Sequence, residues 1–169
     1  LDDLMREKFG RDFDENGKLA KSGSVNFVLA DCILQHEIFR KAPPKSFDRD
    51  DFEVLLAPIH TLKTEDALAT FTYMHAKALE INLNFLSQKP KEIFICGGGR
   101  KNVALMDEMK KLMPEIEIKA VEEIGLNGDA VEAEAFAFLG IRSFIGLPIS
   151  FRNTTGVAHE ACGGVLYKK

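Results

Sequence analysis

The chain has 169 residues, enough for one domain that buries about 70% of its unfolded surface. Its 46% hydrophobic and 28% charged residues are ordinary for a globular fold and exclude disorder, collagen and a disulfide miniprotein. The net charge of -4 comes from 22 basic and 26 acidic residues spread along the chain, so no field is built that would draw nucleic acid or an anionic membrane, and neither is an expected partner.

The chain opens on Leu1 with "LDDLMREKFG", which reads as a helix already under way; a piece of a longer protein is expected. Over residues 1 to 9, Leu1, Leu4, Met5 and Phe9 share one side of a short helix that Gly10 stops. "RDFDENGKLAKSGS" is turn-rich. Ser24 is placed to cap a second helix in which Phe27, Ala30, Leu34 and Ile38 recur at helical spacing, ended by Pro43 and Pro44. "KSFDRDDFEVLLAPIHTL" is polar, broken by proline, and read mostly as loop. From Thr64 the periodicity predicts a long helix reaching nearly to Pro90, with Leu68, Phe71, His75, Leu79, Asn82, Leu83 and Leu86 on one face.

"EIFIC" then predicts a buried strand, three glycines follow, and a helix carries Leu105, Met106, Met109, Leu112 and Met113 on its apolar side. "IEIKAVEEIG" predicts a second strand and "GDAVEAEAFAFLGIRSF" a final apolar helix. This alternation signals an α/β sheet with a right-handed crossover. The tail is loop-like, with room for a strand at "GVLYK". No run approaches the roughly 18 apolar residues of a membrane span. Cys32, Cys96 and Cys162 lie far apart without C-x-x-C spacing, which favours reduced thiols in a cytoplasmic setting over disulfides or zinc.

The chemistry centres on "IFICGGGRKN", residues 93 to 102. A strand entering glycines and then a helix presents backbone N–H groups and a positive dipole end to an anion, which suggests phosphate. The dinucleotide fingerprint would need glycine at position 102, where Asn102 stands, and the P-loop spacing is absent. The other reading of Gly97, Gly98 and Gly99 is a tight turn with no ligand. Asp129 and Glu132, three apart at the start of the last helix, are either a cleft carboxylate pair or a capping-box variant. His75 reads as a hydrogen-bonded core histidine, and His36, His60 and His159 lack partners at metal-ligand spacing. Ser46, Thr154 and Thr155 lack a nucleophile's context and read as turn residues, while Cys96 reads as a buried structural thiol.

"CGGGRKNVALMDEMKKLMP", "GLNGDAVEAEAFAFLGIR" and "LPISFRNTTGVAHEACGGVLY", in that order, resemble the carboxyl-terminal portion of the anhydro-N-acetylmuramic acid kinase family. "APPKSFDRDDF" and "TEDALATFTYMHAKAL" extend the resemblance over nearly the whole chain. It implies a partial actin-like ATPase (ribonuclease H-like) α/β fold, helix-rich, with only two or three main strands. It also implies a division into a helical and loop insertion at 1–64 and a long helix plus nucleotide-side α/β unit at 65–169. The implied activity is ATP-dependent opening of 1,6-anhydro-N-acetylmuramic acid and phosphorylation to N-acetylmuramic acid 6-phosphate in cell-wall recycling, with magnesium. Under the resemblance Gly97, Gly98, Gly99 and Asn102 become an adenosine-side loop rather than a phosphate loop, and Asp129 and Glu132 face the sugar side of the cleft. No residue of the chain matches the family's catalytic base and no metal ligand is identified, so the chain alone is expected to be inactive. Phe47 and Asp48 stand where the family has threonine and glycine after "KS", leaving Lys45 and Ser46 without a role. Uncovered sheet edge and apolar surface are expected, and a homodimer is one way to cover them. The reading from a different class is a non-catalytic nucleotide-sensing or assembly module whose glycine turn is structural.

Overall fold

The computed structural model describes residues 1–167. Helix α1 (Asp2–Phe9) ends at Gly10 in the left-handed region, φ 61°, as the glycine stop predicts, and buries Leu4 and Met5 while Phe9 stays exposed. The turn-rich segment that follows contains a helix, α2 (Lys18–Ser22). Five residues are too few for periodicity to reveal. The buried Asp14 carboxylate holds it, accepting from the N–H groups of Leu19 (3.0 Å) and Ala20 (2.9 Å).

Helix α3 (Phe27–Leu34) is capped by Asn26, whose Oδ1 accepts from Leu29 N–H at 3.0 Å, and not by Ser24. Ser24 lies two residues further out, where its backbone N–H donates to Asp66 at 2.7 Å. The expected single helix breaks at Gln35 and His36, and a short α4 (Glu37–Arg40) resumes with His36 Nδ1 accepting from Ile38 N–H. The segment read as loop holds 3₁₀ turns at Arg49–Phe52 and Ala57–Thr61 around α5 (Glu53–Leu56).

Helix α6 (Thr64–Leu83) stops about two turns short of Pro90, leaving Leu86 exposed. Residues 67 to 74 are all buried, so its first half is enclosed on every side and has no single apolar face. Of the two threonines inside this run, Thr72 leaves its buried hydroxyl without a partner among the described residues, whereas Thr70 meets what that enclosure demands. Thr70 donates to Asp66 C=O (2.6 Å) and accepts from Asn26 N–H (3.0 Å), satisfying its hydroxyl. Two apolar clusters meet along α6. One gathers Leu4, Met5, Ile33, Leu34, Ile59, Leu68 and Phe71; the other gathers Leu83, Leu105, Met109, Met113, Ile116 and Ile118.

The second cluster packs α6 against β1 (Glu92–Ile95), α7 (Val103–Leu112) and β2 (Glu117–Ala120). The strands pair in parallel, Glu92 opposite Glu117 and Ile95 opposite Ala120, with α7 crossing between them. The fold is therefore a helix-rich α/β unit whose named strands, among the described residues, number two. β1 is only half-buried, and Cys96, just beyond it, is exposed and not the buried thiol expected, because the sheet has no further strand beside it to enclose that end.

The expected second strand stops at Ala120 and turns into a 3₁₀ segment, Val121–Ile124, closed by Gly125 at φ 81°. Helix α8 (Val131–Phe144) forms as predicted, but none of its residues is buried. A short α9 (Arg152–Thr155) follows, and an isolated antiparallel bridge joins Ser150 to Ala161. Residues 164 to 167 of the expected terminal strand form none, since no neighbouring strand offers them a ladder; residue 168 lies outside the described residues. Among the described residues no helix is long and apolar enough to cross a membrane.

Candidate functional site

The glycine triplet sits at the carboxyl end of β1, where open α/β sheets place their ligands. Gly97 has φ 68° and ψ −167°, a conformation that effectively requires glycine. Gly98 and Gly99 open a 3₁₀ turn that runs to Lys101. Asn102 then caps α7, its Oδ1 accepting from Leu105 N–H at 3.1 Å. The side chain expected beside a ligand is thus occupied in starting the helix.

The three glycines do not share one cause. Gly97 is fixed by its backbone angles, whereas a Cβ on Gly99 would make only an ordinary 3.4 Å contact with the end of the Leu105 side chain. At Gly98 there is neither strain nor contact: φ is not positive, and a Cβ there would meet no protein atom within 4 Å. The space over Gly97 and Gly98 is open, and the chain gives no internal reason for a bare main chain at 98.

Around this turn lies an ionic network. Arg100, with its side chain only 7% exposed, donates Nε–H to Glu122 Oε1 (2.7 Å) and Nη1–H to both Asp129 Oδ1 (2.8 Å) and Gly97 C=O (2.7 Å). Lys101 Nζ reaches both Asp129 oxygens, at 2.8 and 2.7 Å. Gly97 N–H donates to Gly128 C=O at 2.9 Å. Gly128 N–H donates to Glu122 Oε1 at 3.2 Å, and Asn127 Oδ1 accepts from Asp129 N–H in a local turn. Three loops are thereby tied at one end of the sheet.

Asp129 corrects one expectation. It is not the cap of α8, whose flanking residue is Ala130 with no side-chain hydrogen bond; two cations compete for its carboxylate and win. The Arg100 hydrogen bond first, and that of Lys101 next, hold Asp129 well below the usual carboxylate range. A carboxylate so held is permanently ionised near neutrality and is a poor proton acceptor. Glu132 lies exposed on the first turn of α8, and no hydrogen bond or ion pair among the described residues joins it to Asp129. The structure brings Gly97, Gly98, Gly99, Asn102 and Asp129 together and leaves Glu132 at the margin. Arg100, Glu122 and Gly128 are the site's unforeseen members. The visible signal was the pair of cations directly after the glycines, facing "VEE" across one crossover.

A cavity of about 850 Å3 lies elsewhere, between α1, α5 and α6, and is lined by residues that include Glu7, Phe52, His60, Phe71, Met74 and His75. It shares no residue with the glycine turn. His75 does make the expected hydrogen bond, Nδ1–H to Phe71 C=O at 2.8 Å, but its ring lines this cavity and is not sealed in the core. Although the residue is exposed to that cavity, desolvation by the helices crowded around its ring pushes its pKa below the ordinary 6.5, the Phe71 carbonyl opposing that shift. His60 Nδ1 lies 3.8 Å from Glu7. Lys45 Nζ donates to Phe39 C=O and sits over the Phe85 ring, a packing role. Among the described residues no three His, Cys, Asp or Glu side chains gather as a metal site.

A family model described as anhydro-N-acetylmuramic acid kinase matches residues 1–169. Proteins named anhydro-N-acetylmuramic acid kinase are similar to it: that of Zymomonas mobilis subsp. mobilis is 38% identical over 99% of this chain and 45% of its own length. That of Roseobacter denitrificans is 40% identical over 97% of this chain and 43% of its own. The anhydro-N-acetylmuramic acid kinase 1 of a Jannaschia species is 42% identical over 97% and 44%. The chain thus spans less than half the length of the curated relatives it matches.

Proposed function

This chain belongs to the anhydro-N-acetylmuramic acid kinase family, and we propose that it supplies the adenosine-side half of the cleft of a kinase acting on 1,6-anhydro-N-acetylmuramic acid. In that reaction water adds to the anomeric carbon, the bond from that carbon to the 6-oxygen breaks, and the freed oxygen takes the terminal phosphoryl group of ATP. The products are N-acetylmuramic acid 6-phosphate and ADP. The order of the three motifs supports assigning the chain to the carboxyl-terminal lobe of an actin-like fold. An ATP-dependent reaction of this kind fits a cytoplasmic enzyme.

The observation that carries the nucleotide assignment is Gly98. Neither backbone angle nor crowding accounts for it, and at the carboxyl end of a strand this fits the close approach of something outside the chain. The open main chain from Gly97 to Gly99 fits the flat face of a nucleoside, which needs close contact and no side chain. ATP when bound supplies the phosphoryl group, and magnesium neutralises its charge; no described group of residues is assigned to the metal. The part of this chain is to hold adenosine and to keep the turn shaped for it. Asp129 is not proposed as the water-activating base, for the ion pairs already given. Glu132, free of that network, is the better candidate for a contact on the sugar side.

Two measurements test the proposal. Calorimetric titration with ADP should show binding to the chain, weak alone and stronger when the length by which its relatives exceed it is supplied. No binding in either state favours a structural turn in a non-catalytic module. Mixing the chain with complementary segments of a relative should restore phosphorylation of the anhydro sugar with the amino-terminal segment only. Restoration by the carboxyl-terminal segment instead would reverse the lobe assignment, and turnover by the chain alone would show that it carries its own base.

A further inference from the structure

We propose that Arg100 is the positioning residue of this site: its guanidinium locks the glycine turn to the 127–129 turn, and so holds open the face on which the nucleoside rests. The inference depends on the nucleotide assignment above and names the residue that gives the turn its shape.

The argument starts from an anomaly of burial. Arg100 stands in a surface turn, yet its side chain is 7% exposed, while the adjacent Lys101 is 61% exposed. Its stem lies against Gly128 so closely that a Cβ there would overlap Arg100 Cδ, Nε and Cζ. Glycine at 128 therefore makes room for the guanidinium. That group then spans three acceptors from three segments: Gly97 C=O, Glu122 and Asp129.

Both backbone polar groups of Gly97 are engaged as a result. Its N–H is held by Gly128 C=O and its C=O by Arg100. A glycine at φ 68° has many alternatives in a free chain, and these two bonds select one. Glu122 closes the ring by accepting from both Arg100 and Gly128. The planar fork matters here, because an ammonium at the same place is a point charge that cannot reach acceptors on three sides at fixed angles. Lys101 cannot substitute, since its bonds go only to the outer carboxylate. An ordered turn binds a rigid ligand with less loss of conformational freedom than a loose one.

The test is nuclear magnetic resonance titration of the 169-residue chain with ADP, comparing wild type with Arg100→Lys, Arg100→Ala and Gly128→Ala. In the wild type, amide shifts should concentrate at Gly97–Gly99 and Asn127–Asp129. Arg100→Lys should weaken ADP by about tenfold, the equivalent of one charge-assisted hydrogen bond, and speed hydrogen exchange at the Gly97 amide while the β1–β2 ladder keeps its protection. Gly128→Ala, which leaves Arg100 in the sequence but displaces it, should do the same. If Arg100→Ala does not fold, the other two variants decide. Wild-type ADP affinity in Arg100→Lys and Gly128→Ala, whether or not their melting temperatures fall, overturns the positioning role and leaves the nucleotide assignment standing. No shift at the glycine turn in the wild type at millimolar ADP, either alone or with the amino-terminal segment of a relative added, overturns the assignment and this inference together.

Discussion

Gly98 is the residue at which stability and ligand binding should part. A methyl group there meets nothing within 4 Å, and φ is not in the left-handed region, so Gly98→Ala restricts the unfolded chain more than the folded one. The variant should gain about 0.4–1 kcal/mol in denaturant unfolding and lose ADP affinity in calorimetry. A loss of stability would mean the turn needs glycine for its own sake. At Gly97 the same change should cost stability, because the residue must leave φ 68° or accept strain. His75 makes a second residue-scale prediction. Its folded pKa lies below 6.5, so the unfolded chain binds the proton more readily. Its contribution is complete above pH 6.5 and is lost as pH falls from there toward the depressed folded value. Melting temperatures across that window should therefore drop more steeply for the wild type than for His75→Asn, which keeps a donor for Phe71 C=O without the titration. Parallel curves would remove desolvation as the cause of the shift.

At the scale of elements, what the sequence revealed follows the range of the forces involved. Helices α1, α6, α7 and α8 and both strands were legible because each carries its own period or its own stop, such as Gly10 after α1. Helix α2 was not, since it is held by Asp14 reaching forward to Leu19 and Ala20, a bond no periodicity encodes. Ser24 and Asn26 can both cap; Asn26 takes that place, its backbone held at the helix start by Thr70, forty-four residues on. The glycine turn was legible as a site, whereas its ionic frame was not, because Arg100, Glu122 and Asp129 meet only after the crossover closes. Packing predicts a sharp contrast between two helices. Leu68 in α6 is fully buried, and Leu68→Ala should cost about 2–5 kcal/mol in urea unfolding. Phe138→Ser in α8, where the ring is 60% exposed, should stay within about 0.5 kcal/mol of wild type. Equal losses would mean that α8 is packed in solution.

For the whole molecule, α8 is the unresolved element energetically. Phe136, Phe138, Leu139, Ile141 and Phe144 surround its axis, and a helix apolar on all sides belongs inside a structure. Here it is uncovered, and Ile145, Leu147, Val165 and Leu166 extend the apolar surface beyond it. The relatives are more than twice as long as this chain, so a family member has the material to cover such a helix. In the isolated chain a second copy is the available cover. Sedimentation should then show a mass that rises from one chain toward two with concentration, together with binding of an apolar dye that falls as the dimer forms. Replacing Phe136 and Phe144 together by glutamate should hold the chain at one copy and leave its melting temperature unchanged, since neither ring belongs to the two apolar clusters packed along α6. A wild-type chain that stays monomeric at high concentration and binds no dye would mean that α8 closes onto its own chain. In that case the open face above Gly98 should change as well, because α8 begins two residues after Asp129, the ion-pair partner of Arg100.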